Sequence, residues 1–316
     1  MAQVLITSEF FGKFSGEARE KLLNAGLEVL DNPYGHAFLT PEQIIPHIGG
    51  ASAVICDLEK ITKEVIDAAP ELKIIARRGV GIDNVDWRYA QSRGIETART
   101  LGVVEKPVAE LVMGYILDFA RNISAMSAAM HEGHWRRVTC HSVDGAALGL
   151  VGFGNIARMV ARRGAAMGMK ILYYDIVRSE QAEKELGAVW CTLDELLKQA
   201  DYVSLHTPLT DATKGMINAG RLSQMKPSAC LINTSRGAVV DVAALAQALR
   251  AGIIRGAAVD VYDTEPETDS PLRGIPGVIL TPHVGTFTEE TFIRMDVAAA
   301  ENVIRKLNED RTGGMR

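Results

Sequence analysis

Six short apolar runs in the C-terminal two-thirds of the chain each end in glycine or polar residues. Helical stretches separate them, and strands that alternate with helices indicate βα units feeding a parallel sheet. Ligands of such sheets bind in the crevice outside the carboxyl ends of the strands. We therefore expect these polar residues to meet at one edge. The runs are Leu148–Gly152, Ile171–Asp175, Tyr202–His206, Ala229–Arg236, Ala257–Tyr262 and Val278–His283.

The first third of the chain carries a second βα pattern. Helices are predicted over Gly16–Ala25 and Thr62–Ala69, and prolines and the Gly49-Gly50 pair mark the loops. This pattern predicts a second doubly wound sheet of domain size. Its predicted strands are Val4–Thr7, Leu27–Leu30, Ala53–Cys56, Leu72–Ala76 and Ile95–Ala98.

Two longer patterns at helical spacing flank the second sheet. The first predicts one helix from Pro107 to Glu132, with Pro107 in its first turn and Gly133 at its end. We expect this helix to pack between domains or to form a subunit interface, and both can hold. The second predicts a helix over Glu289–Asn308. If that helix packs on the first domain, the domain is discontinuous, a point that periodicity leaves open.

Composition indicates an ordinary globular protein and excludes several classes of function. Of the 316 residues, 47% are hydrophobic and 23% are charged. The net charge of −5 argues against nucleic acid or an anionic membrane as a partner. The four cysteines contain no C-x-x-C pair, which predicts thiols in a reducing compartment and no metal site. Without a secretory signal or an apolar stretch of ~20 residues, we predict a cytoplasmic protein.

A glycine-rich turn follows the first strand of the second sheet. The stretch Gly152-Phe153-Gly154-Asn155-Ile156-Ala157 fits the pattern G-x-G-x-x-A, in which the first glycine makes the turn and the second admits a diphosphate. Asp175 ends the next strand, where a carboxylate accepts hydrogen bonds from the adenosine ribose and repels a 2′-phosphate. The turn therefore predicts a dinucleotide site that prefers NAD, with Arg178 placed to weaken that preference.

Other residues at the same predicted edge are candidate contacts of the cofactor. His206-Thr207-Pro208 follows a strand, and this position favours a cofactor contact over a purely structural role. The complete predicted cofactor-binding set is Gly152, Gly154, Asn155, Ile156, Asp175, His206, Thr207, Pro208, Thr213, Thr234, Ser235, Asp260 and Gly285.

Three residues at separate strand ends suit a hydride-transfer centre. His283 carries an imidazole, which exchanges protons near neutral pH. Glu265 is a candidate partner for the other ring nitrogen, which would fix the tautomer and favour the imidazolium. Arg236 offers a planar fork that matches a carboxylate. Together they predict a general acid–base, its orienting carboxylate and a carboxylate clamp.

These motifs together resemble the D-isomer-specific 2-hydroxyacid dehydrogenases over nearly the whole chain. Five motifs stand in the family's order, namely Gly79–Asp86, the cofactor turn, Asn233–Gly237, Asp260–Pro266 and Thr281–Gly285. The resemblance implies an enzyme that transfers hydride between NAD and C2 of a small D-2-hydroxy acid or 2-oxo acid.

The same resemblance implies roles for particular residues. It implies that Arg236 binds the substrate carboxylate, that His283 is the general acid–base and that Glu265 supports it. Val80 and Gly81 are expected to present backbone N–H groups to the substrate carboxylate, as a glycine-flanked anion nest does. Asp260 is expected near the nicotinamide carboxamide.

The resemblance also implies the domain organisation. We expect an α/β protein with two doubly wound parallel-sheet domains, in which a Rossmann NAD-binding domain is inserted into a flavodoxin-like substrate-binding domain. The expected bounds are residues 99–285 for the NAD-binding domain, and residues 1–98 plus 286–316 for the substrate-binding domain. Members of the family usually dimerise through the cofactor domain, so a homodimer is expected.

Within the family, the pattern is most similar to D-3-phosphoglycerate dehydrogenases, through Arg77–Gly81 and Phe10–Lys13. We therefore expect that activity first. However, Cys56-Asp57, followed by Glu59, stands where such enzymes commonly place an Arg-Ser pair for the phosphate. Because carboxylates repel a phosphate, a glyoxylate or hydroxypyruvate reductase is the alternative enzyme. The alternative of another class is an NADH-sensing scaffold, similar to the C-terminal binding protein corepressors.

Overall fold

The computed structural model of the 316-residue chain describes residues 1–35 and 37–313, with side chains up to residue 310. The chain divides into two compact units. Unit 1 comprises Met1–Val104 together with the chain from Thr286 onward, and unit 2 comprises Glu105–Gly285. Residues 314–316, the last of the predicted substrate-binding domain, lie outside the described residues.

The boundary between the units lies six residues after the predicted one, because residues 99–104 belong to unit 1. The backbone N–H of Thr100 donates to the carbonyl of Gly79 at 3.0 Å. Val104 packs against Phe292 and Met295 in a small apolar cluster. These contacts join residues far apart in the chain, so the local apolar pattern gave no sign of them.

Unit 1 is built on a parallel sheet with five strands in the described residues. The strands are β1 (Gln3–Ile6), β2 (Glu28–Leu30), β3 (Ala51–Cys56), β4 (Ile74–Arg77) and β5 (Glu96–Arg99). The helices of the first segment are α1 (Glu17–Asn24), α2 (Pro41–Ile48), α3 (Lys63–Asp67) and α4 (Trp87–Ser92). The strand order is β2-β1-β3-β4-β5, the doubly wound arrangement that was predicted. The central strands are buried on both faces, as a parallel sheet between helices requires.

Unit 2 is built on a second parallel sheet, with seven strands in the described part of the chain. The strands are β6 (Ala147–Val151), β7 (Lys170–Tyr174), β8 (Val189–Trp190), β9 (Tyr202–Leu205), β10 (Cys230–Asn233), β11 (Gly256–Val259) and β12 (Val278–Leu280). The helices are α5 (Glu105–Arg121), α6 (Ile123–His131), α7 (Asn155–Ala166), α8 (Glu180–Leu186), α9 (Leu193–Gln199), α10 (Ala219–Leu222) and α11 (Val242–Arg250). The strand order is β12-β11-β10-β9-β6-β7-β8, which is the Rossmann order with one added strand, β12, at the edge.

The chain returns to unit 1 through its last helix, α12 (Glu289–Gly313). Ala299, Ala300 and Val303 on this helix are fully buried, in one apolar cluster with Val4 and Ile6 of β1. Unit 1 is therefore formed by both ends of the chain, which is the arrangement that periodicity left open.

The long helix predicted from Pro107 to Glu132 is wrong in one respect, because the chain forms two helices there. Asn122 adopts a left-handed conformation with φ of 49°, between the end of α5 and the start of α6. The carboxylate of Asp118 accepts a hydrogen bond from the N–H of Ser124 at 2.7 Å, which supports the new helix start. Asparagine tolerates this backbone conformation better than most residues. The predicted stop at Gly133 is confirmed, with φ of 80°.

A helix that crosses a lipid bilayer must be both long and apolar. Among residues 1–35 and 37–313, none of the helices is both long and apolar enough to cross a bilayer.

Candidate active site

Six predicted site residues follow six strands of unit 2. Because the strands are parallel, their carboxyl ends share one edge of the sheet, where ligands of such sheets bind. The residues are Gly152 after β6, Asp175 after β7, His206 after β9, Arg236 after β10, Asp260 after β11 and His283 after β12. The expected convergence on one edge is thus confirmed for unit 2.

The glycine turn has the geometry that a diphosphate requires. Gly152 has φ of 86°, and a Cβ atom there would lie 2.9 Å from the backbone of His206. Gly154 is the N-cap of α7, and a Cβ atom there would meet nothing within 4 Å. Ala157 is fully buried where α7 packs on the sheet. The turn leaves open space for an anionic group. The N–H groups of the first helical turn, including those of Asn155 and Ile156, have no partner within the helix and can donate to that group.

The Asp175 carboxylate is held in place by two backbone N–H groups. Its Oδ2 accepts a hydrogen bond from Phe153 at 2.6 Å, and its Oδ1 accepts one from Val177 at 2.9 Å. The first bond ties the carboxylate to the glycine turn itself. A carboxylate fixed beside the turn is placed to accept ribose hydroxyls and to repel a 2′-phosphate.

The exposed guanidinium of Arg178 pairs with a carboxylate of helix α8. Its Nε and Nη2 each donate to the Glu183 carboxylate at 2.8 Å. This fork, together with the Tyr173 hydroxyl, lowers the pKa of Glu183 to about 2. The arginine that was expected to weaken the preference for NAD therefore has a carboxylate partner of its own.

His206 lies at the carboxyl end of β9, and its ring is neutral. Its Nε2 lies 2.9 Å from Ser204 Oγ. Desolvation by burial lowers the pKa of His206 to about 3. The ring therefore offers hydrogen bonding but no positive charge to a bound phosphate at neutral pH.

The loop after His206 is held together by Thr213. The Thr213 hydroxyl donates to the carbonyl of Pro208 at 2.6 Å and accepts from the N–H of Thr210 at 2.8 Å. The hydroxyl of Thr207 contacts Met216 Sδ at 3.9 Å. The structure thus gives Thr213 a role in loop shape, and its contact with the cofactor stays a prediction.

Asn233 shapes the turn that carries Arg236. Its Oδ1 accepts hydrogen bonds from the N–H and the hydroxyl of Ser235 at 3.1 and 2.8 Å, and its Nδ2 donates to the carbonyl of Arg236 at 2.9 Å. Asn233 was not among the predicted site residues. The available signal was an Asn near the end of a predicted strand, because an Asn side chain readily accepts from the backbone N–H two residues on.

The side chain of Thr234 supplies an independent sign of a ligand. Its Oγ1 is buried and has no hydrogen-bond partner within the described residues. Because buried hydroxyls are normally paired, an orphaned one at the carboxyl edge of the sheet fits a polar group supplied from outside the chain. Together with the open Gly154 turn and the fixed Asp175, it shows that these residues fit a dinucleotide.

Asp260 fixes the segment that carries His283. Its Oδ1 accepts hydrogen bonds from Thr281 Oγ1 at 2.6 Å and from the N–H of Val284 at 2.8 Å, while its Oδ2 accepts from the N–H of Gly285 at 2.9 Å. Burial raises the pKa of Asp260, although these donors and the charge of His283 oppose the rise. Asp260 thus binds the chain on both sides of the histidine.

His283 and Glu265 form a direct pair. His283 Nδ1 lies 2.7 Å from Glu265 Oε2, and both side chains are about a third exposed, at 31% and 27%. The other carboxylate oxygen of Glu265 accepts from the N–H of Tyr262 at 3.0 Å. His283 itself has φ of 54°, a strained conformation for a non-glycine residue and one that is common at functional sites.

The charge around Glu265 favours its ionised form. Burial alone would raise the pKa of Glu265, but the hydrogen bond and charge of His283, with the charge of Arg236, hold it below its ordinary value. A guanidinium, an imidazole and a carboxylate are therefore electrostatically coupled in unit 2. Arg236 Nη1 also donates to the carbonyl of Ser235 at 2.6 Å, which orients the guanidinium.

Tyr262 also belongs to this group, although sequence reasoning missed it. Its hydroxyl donates to the carbonyl of Thr281 at 3.0 Å, which holds the histidine segment from a second direction. The sequence offered one signal for this residue, because Tyr262 ends the apolar run Ala257–Tyr262.

Val80 and Gly81 belong to unit 1, in the loop after β4. Val80 is partly buried against Val104, Phe292 and Met295. Their role in holding a substrate carboxylate stays a prediction. Among the residues whose structure is described, no group of three or more His, Cys, Asp or Glu side chains is arranged to hold a metal ion.

A family model described as "D-isomer specific 2-hydroxyacid dehydrogenase, NAD binding domain" matches residues 113–285. The match falls within unit 2 and spans more than half of the 316 residues. The chain belongs to this family. The predicted NAD-dependent D-2-hydroxyacid dehydrogenase class and the fold of two parallel-sheet domains are thereby confirmed.

Named relatives of this dehydrogenase cover most of its length. The "Glyoxylate reductase" of Thermococcus litoralis is 42% identical over 255 residues, which cover 78% of this chain and 77% of the relative. The "Hydroxypyruvate reductase" of Thermotoga maritima is 37% identical over 270 residues, which cover 84% and 87%. The crystal structure of D-lactate dehydrogenase from Aquifex aeolicus, complexed with NAD and lactic acid, is 28% identical. It covers 99% of this chain and 96% of its own, with a TM-score of 0.83.

Replacing Asp175 with Ala is expected to weaken the preference of this dehydrogenase for NADH over NADPH by about tenfold or more. The reason is that the variant loses a charged acceptor for the ribose hydroxyls, and such a hydrogen bond contributes roughly 1.5–3 kcal/mol. The measurement is kcat/KM for each reduced cofactor with one 2-oxo acid. Asp194→Ala, an exposed aspartate on α9, is the matched control. If the ratio of kcat/KM with NADH to kcat/KM with NADPH is unchanged in Asp175→Ala, Asp175 does not contact the ribose.

Proposed function

We propose that the protein is an NADH-dependent reductase of glyoxylate and hydroxypyruvate. The observation that carries the proposal is the 2.7 Å contact between His283 Nδ1 and Glu265 Oε2, coupled electrostatically to Arg236. Relatives named for these two activities support the choice of substrate. They favour the alternative over the D-3-phosphoglycerate activity that we expected first.

In the proposed reaction, His283 delivers the proton. Its Nδ1–H donates to the Glu265 carboxylate, so Nε2–H is left to protonate the 2-oxo oxygen as that oxygen gains negative charge. NADH, when bound, supplies the hydride to C2. Glu265 fixes the tautomer and stabilises the imidazolium before transfer. In the direction of oxidation, neutral His283 accepts the hydroxyl proton of the 2-hydroxy acid.

Arg236 is proposed to hold the acid in place. A guanidinium binds a carboxylate through two parallel hydrogen bonds, which fixes both the distance and the plane of the substrate. Asn233 holds the turn of Arg236 through the 2.9 Å bond to its carbonyl. The residue thus contributes proximity and electrostatic stabilisation to the reduction of a small 2-oxo acid.

The charges of unit 1 argue against a phosphorylated substrate. Arg78 is completely buried, and its guanidinium donates to Asp57 at 2.5 Å and to Asp296 at 2.6 Å. Glu59 is also buried, and burial together with the charge of Asp57 raises its pKa to about 7. Protein carboxylates therefore already neutralise the arginine in the region where phosphoglycerate enzymes commonly hold the phosphate. The Arg78 guanidinium is therefore not a free cation for a substrate phosphate, which supports an unphosphorylated 2-oxo acid as the substrate.

The proposal is tested by steady-state turnover of the purified protein with NADH and with NADPH. The 2-oxo acids are glyoxylate, hydroxypyruvate, pyruvate, 2-oxoglutarate and phosphohydroxypyruvate. We expect the highest kcat/KM with glyoxylate or hydroxypyruvate. A higher value with phosphohydroxypyruvate would overturn the substrate assignment. Tight NADH binding without turnover of any acid would favour the NADH-sensing scaffold.

We also propose that the protein is a cytoplasmic homodimer that pairs through unit 2. Helix α6 has no buried residue, although it is largely apolar, with Ile123 and Met130 about half exposed. Trp135, which follows it, is 79% exposed. Exposed apolar surface of this kind marks a protein–protein contact, and light scattering of the purified protein would give twice the mass of one chain.

Free thiols at all four cysteines, three of them buried, support a reducing compartment.

A further inference from the structure

A chain of hydroxyl groups leads from helix α5 to the His283 segment. The Tyr115 hydroxyl lies 2.5 Å from Thr281 Oγ1, and Thr281 Oγ1 donates to Asp260 Oδ1 at 2.6 Å. Tyr115 is 5% exposed, and none of the contacts assigned above to substrate or cofactor involves it. Such a buried hydroxyl on a helix remote in sequence needs a functional or structural reason.

The direction of these hydrogen bonds follows from counting protons. A threonine hydroxyl has one hydrogen, and Thr281 gives that hydrogen to the Asp260 carboxylate. Tyr115 must therefore be the donor to Thr281. Burial raises the pKa of Tyr115, so its phenol keeps the proton that it donates. The relay runs from Tyr115 to Thr281 to Asp260, and each donor strengthens the next bond.

The end of the relay encloses the catalytic histidine. Asp260 accepts from Thr281, two residues before His283, and from Val284 and Gly285, the two residues after it. Such a bracket holds the left-handed backbone of His283, whose φ is 54°. Without it, the segment is free to relax toward an unstrained conformation.

Helix α5 packs directly on this bracket. A Cβ atom on Gly285 would lie 3.3 Å from the side chain of Val108, which stands seven residues before Tyr115 on the same face of the helix. Two positions of α5 therefore contact the segment, one by packing and one by hydrogen bonding. A rigid helix with such contacts is a suitable support for a site that needs sub-ångström placement.

We propose that Tyr115 is a positioning residue, which acts through Thr281 and Asp260 to hold His283 in the geometry for proton transfer. The inference rests on the proposed role of His283 as the general acid–base. It assigns Tyr115 no contact with substrate or cofactor. The loss of its hydroxyl should therefore lower kcat and leave the KM for the 2-oxo acid unchanged.

The first test is Tyr115→Phe, which removes one oxygen and keeps the ring. We expect kcat for glyoxylate to fall about tenfold, because misplacement of a catalytic group by a fraction of an ångström costs rate. The KM for glyoxylate should stay within about twofold, because the proposed carboxylate clamp Arg236 is unchanged. Tyr202→Phe is the matched control, since Tyr202 is a buried tyrosine of the same apolar cluster and lies at the amino end of β9. Equal kcat in the two variants would overturn the proposal.

The second test is a double-mutant cycle with Thr281→Val. If Tyr115 acts through Thr281 alone, adding Tyr115→Phe to Thr281→Val costs no further kcat. Losses that multiply in the double variant would show that Tyr115 acts independently of the relay and would overturn the proposal.

The third test uses the protein without cofactor or substrate. Amide hydrogen exchange at Val284 and Gly285 reports the bonds to Asp260 directly. We expect exchange at these amides to be about tenfold faster in Tyr115→Phe, with no change in Tyr202→Phe. Unchanged protection would overturn the relay. Because this readout needs no turnover, it separates a failure of the relay from a failure of the proposed function.

Discussion

Arg236→Gln is expected to lower kcat/KM for glyoxylate by about 10³-fold, the effect of losing a group that orients and stabilises the reacting acid. The amide cannot form the charged, two-point contact with a carboxylate that a guanidinium makes. Arg236→Lys should recover only part of the loss, because a lysine keeps the charge and lacks the planar fork. The measurement is steady-state kinetics of NADH oxidation, with the Kd of NADH determined by fluorescence titration.

The control for this substitution is Arg250→Gln. Arg250 is an exposed arginine of α11 in the same unit, and its Nη2 donates to the carbonyl of Pro271 at 2.8 Å. The control should leave kcat/KM unchanged. A normal KM and kcat in Arg236→Gln would mean that another group binds the carboxylate, and the clamp would have to be reassigned.

His283→Ala should lower kcat by about 10²-fold or more, because no other group in the coupled set can donate a proton to the forming alkoxide. Binding of NADH should persist, since the Gly152 turn and Asp175 are untouched by the change. Steady-state turnover measures kcat, and a fluorescence titration measures the Kd for NADH.

His47→Ala is the matched control for the loss of an imidazole. His47 lies on α2 in unit 1, and its ring contacts the edge of Tyr34 with centroids 6.0 Å apart. We expect its kcat to equal that of the wild type. Near-normal turnover in His283→Ala would exclude this histidine as the general acid–base.

Much of the site was predictable because it follows strands. Apolar runs locate the ends of β6, β7 and β12, and parallel strands bring those ends to one edge. Local pattern and spacing alone therefore predicted that Gly152, Asp175 and His283 lie at this edge, and the structure places them there. The pairing of His283 with Glu265 was also anticipated, since both stand in motifs that end neighbouring strands.

Features that depend on contacts between distant residues could not be predicted in this way. Tyr115 and Thr281 are 166 positions apart, and helical periodicity marked Tyr115 only as an apolar position. The engagement of Arg178 by Glu183 depends on side-chain rotamers, which a sequence pattern does not specify. The break at Asn122 depends on a single left-handed residue within an otherwise continuous apolar pattern.

The electrostatic setting of Arg77–Gly81 was harder to predict for the same reason. The stretch Arg77–Gly81 gave a similarity to phosphoglycerate enzymes, yet the structure pairs Arg78 with Asp57 and Asp296. Asp296 is 218 positions from Arg78, so only the folded unit reveals that the arginine is neutralised. Residue identity alone therefore overstates the net positive charge of this stretch.

The pH dependence of glyoxylate reduction in the wild type and in Glu265→Gln tests the central claim most directly. His283 and Arg236 hold the pKa of Glu265 below its ordinary value, so Glu265 stays ionised until the pH falls below that of an ordinary glutamate. Only the ionised carboxylate accepts a hydrogen bond from His283 Nδ1–H at full strength, so kcat/KM of the wild type should fall as pH drops through the lowered pKa of Glu265. In Glu265→Gln we expect this fall on the acid side to be absent, with slower turnover at every pH. Superimposable pH profiles would contradict the proposal that this pair carries the proton.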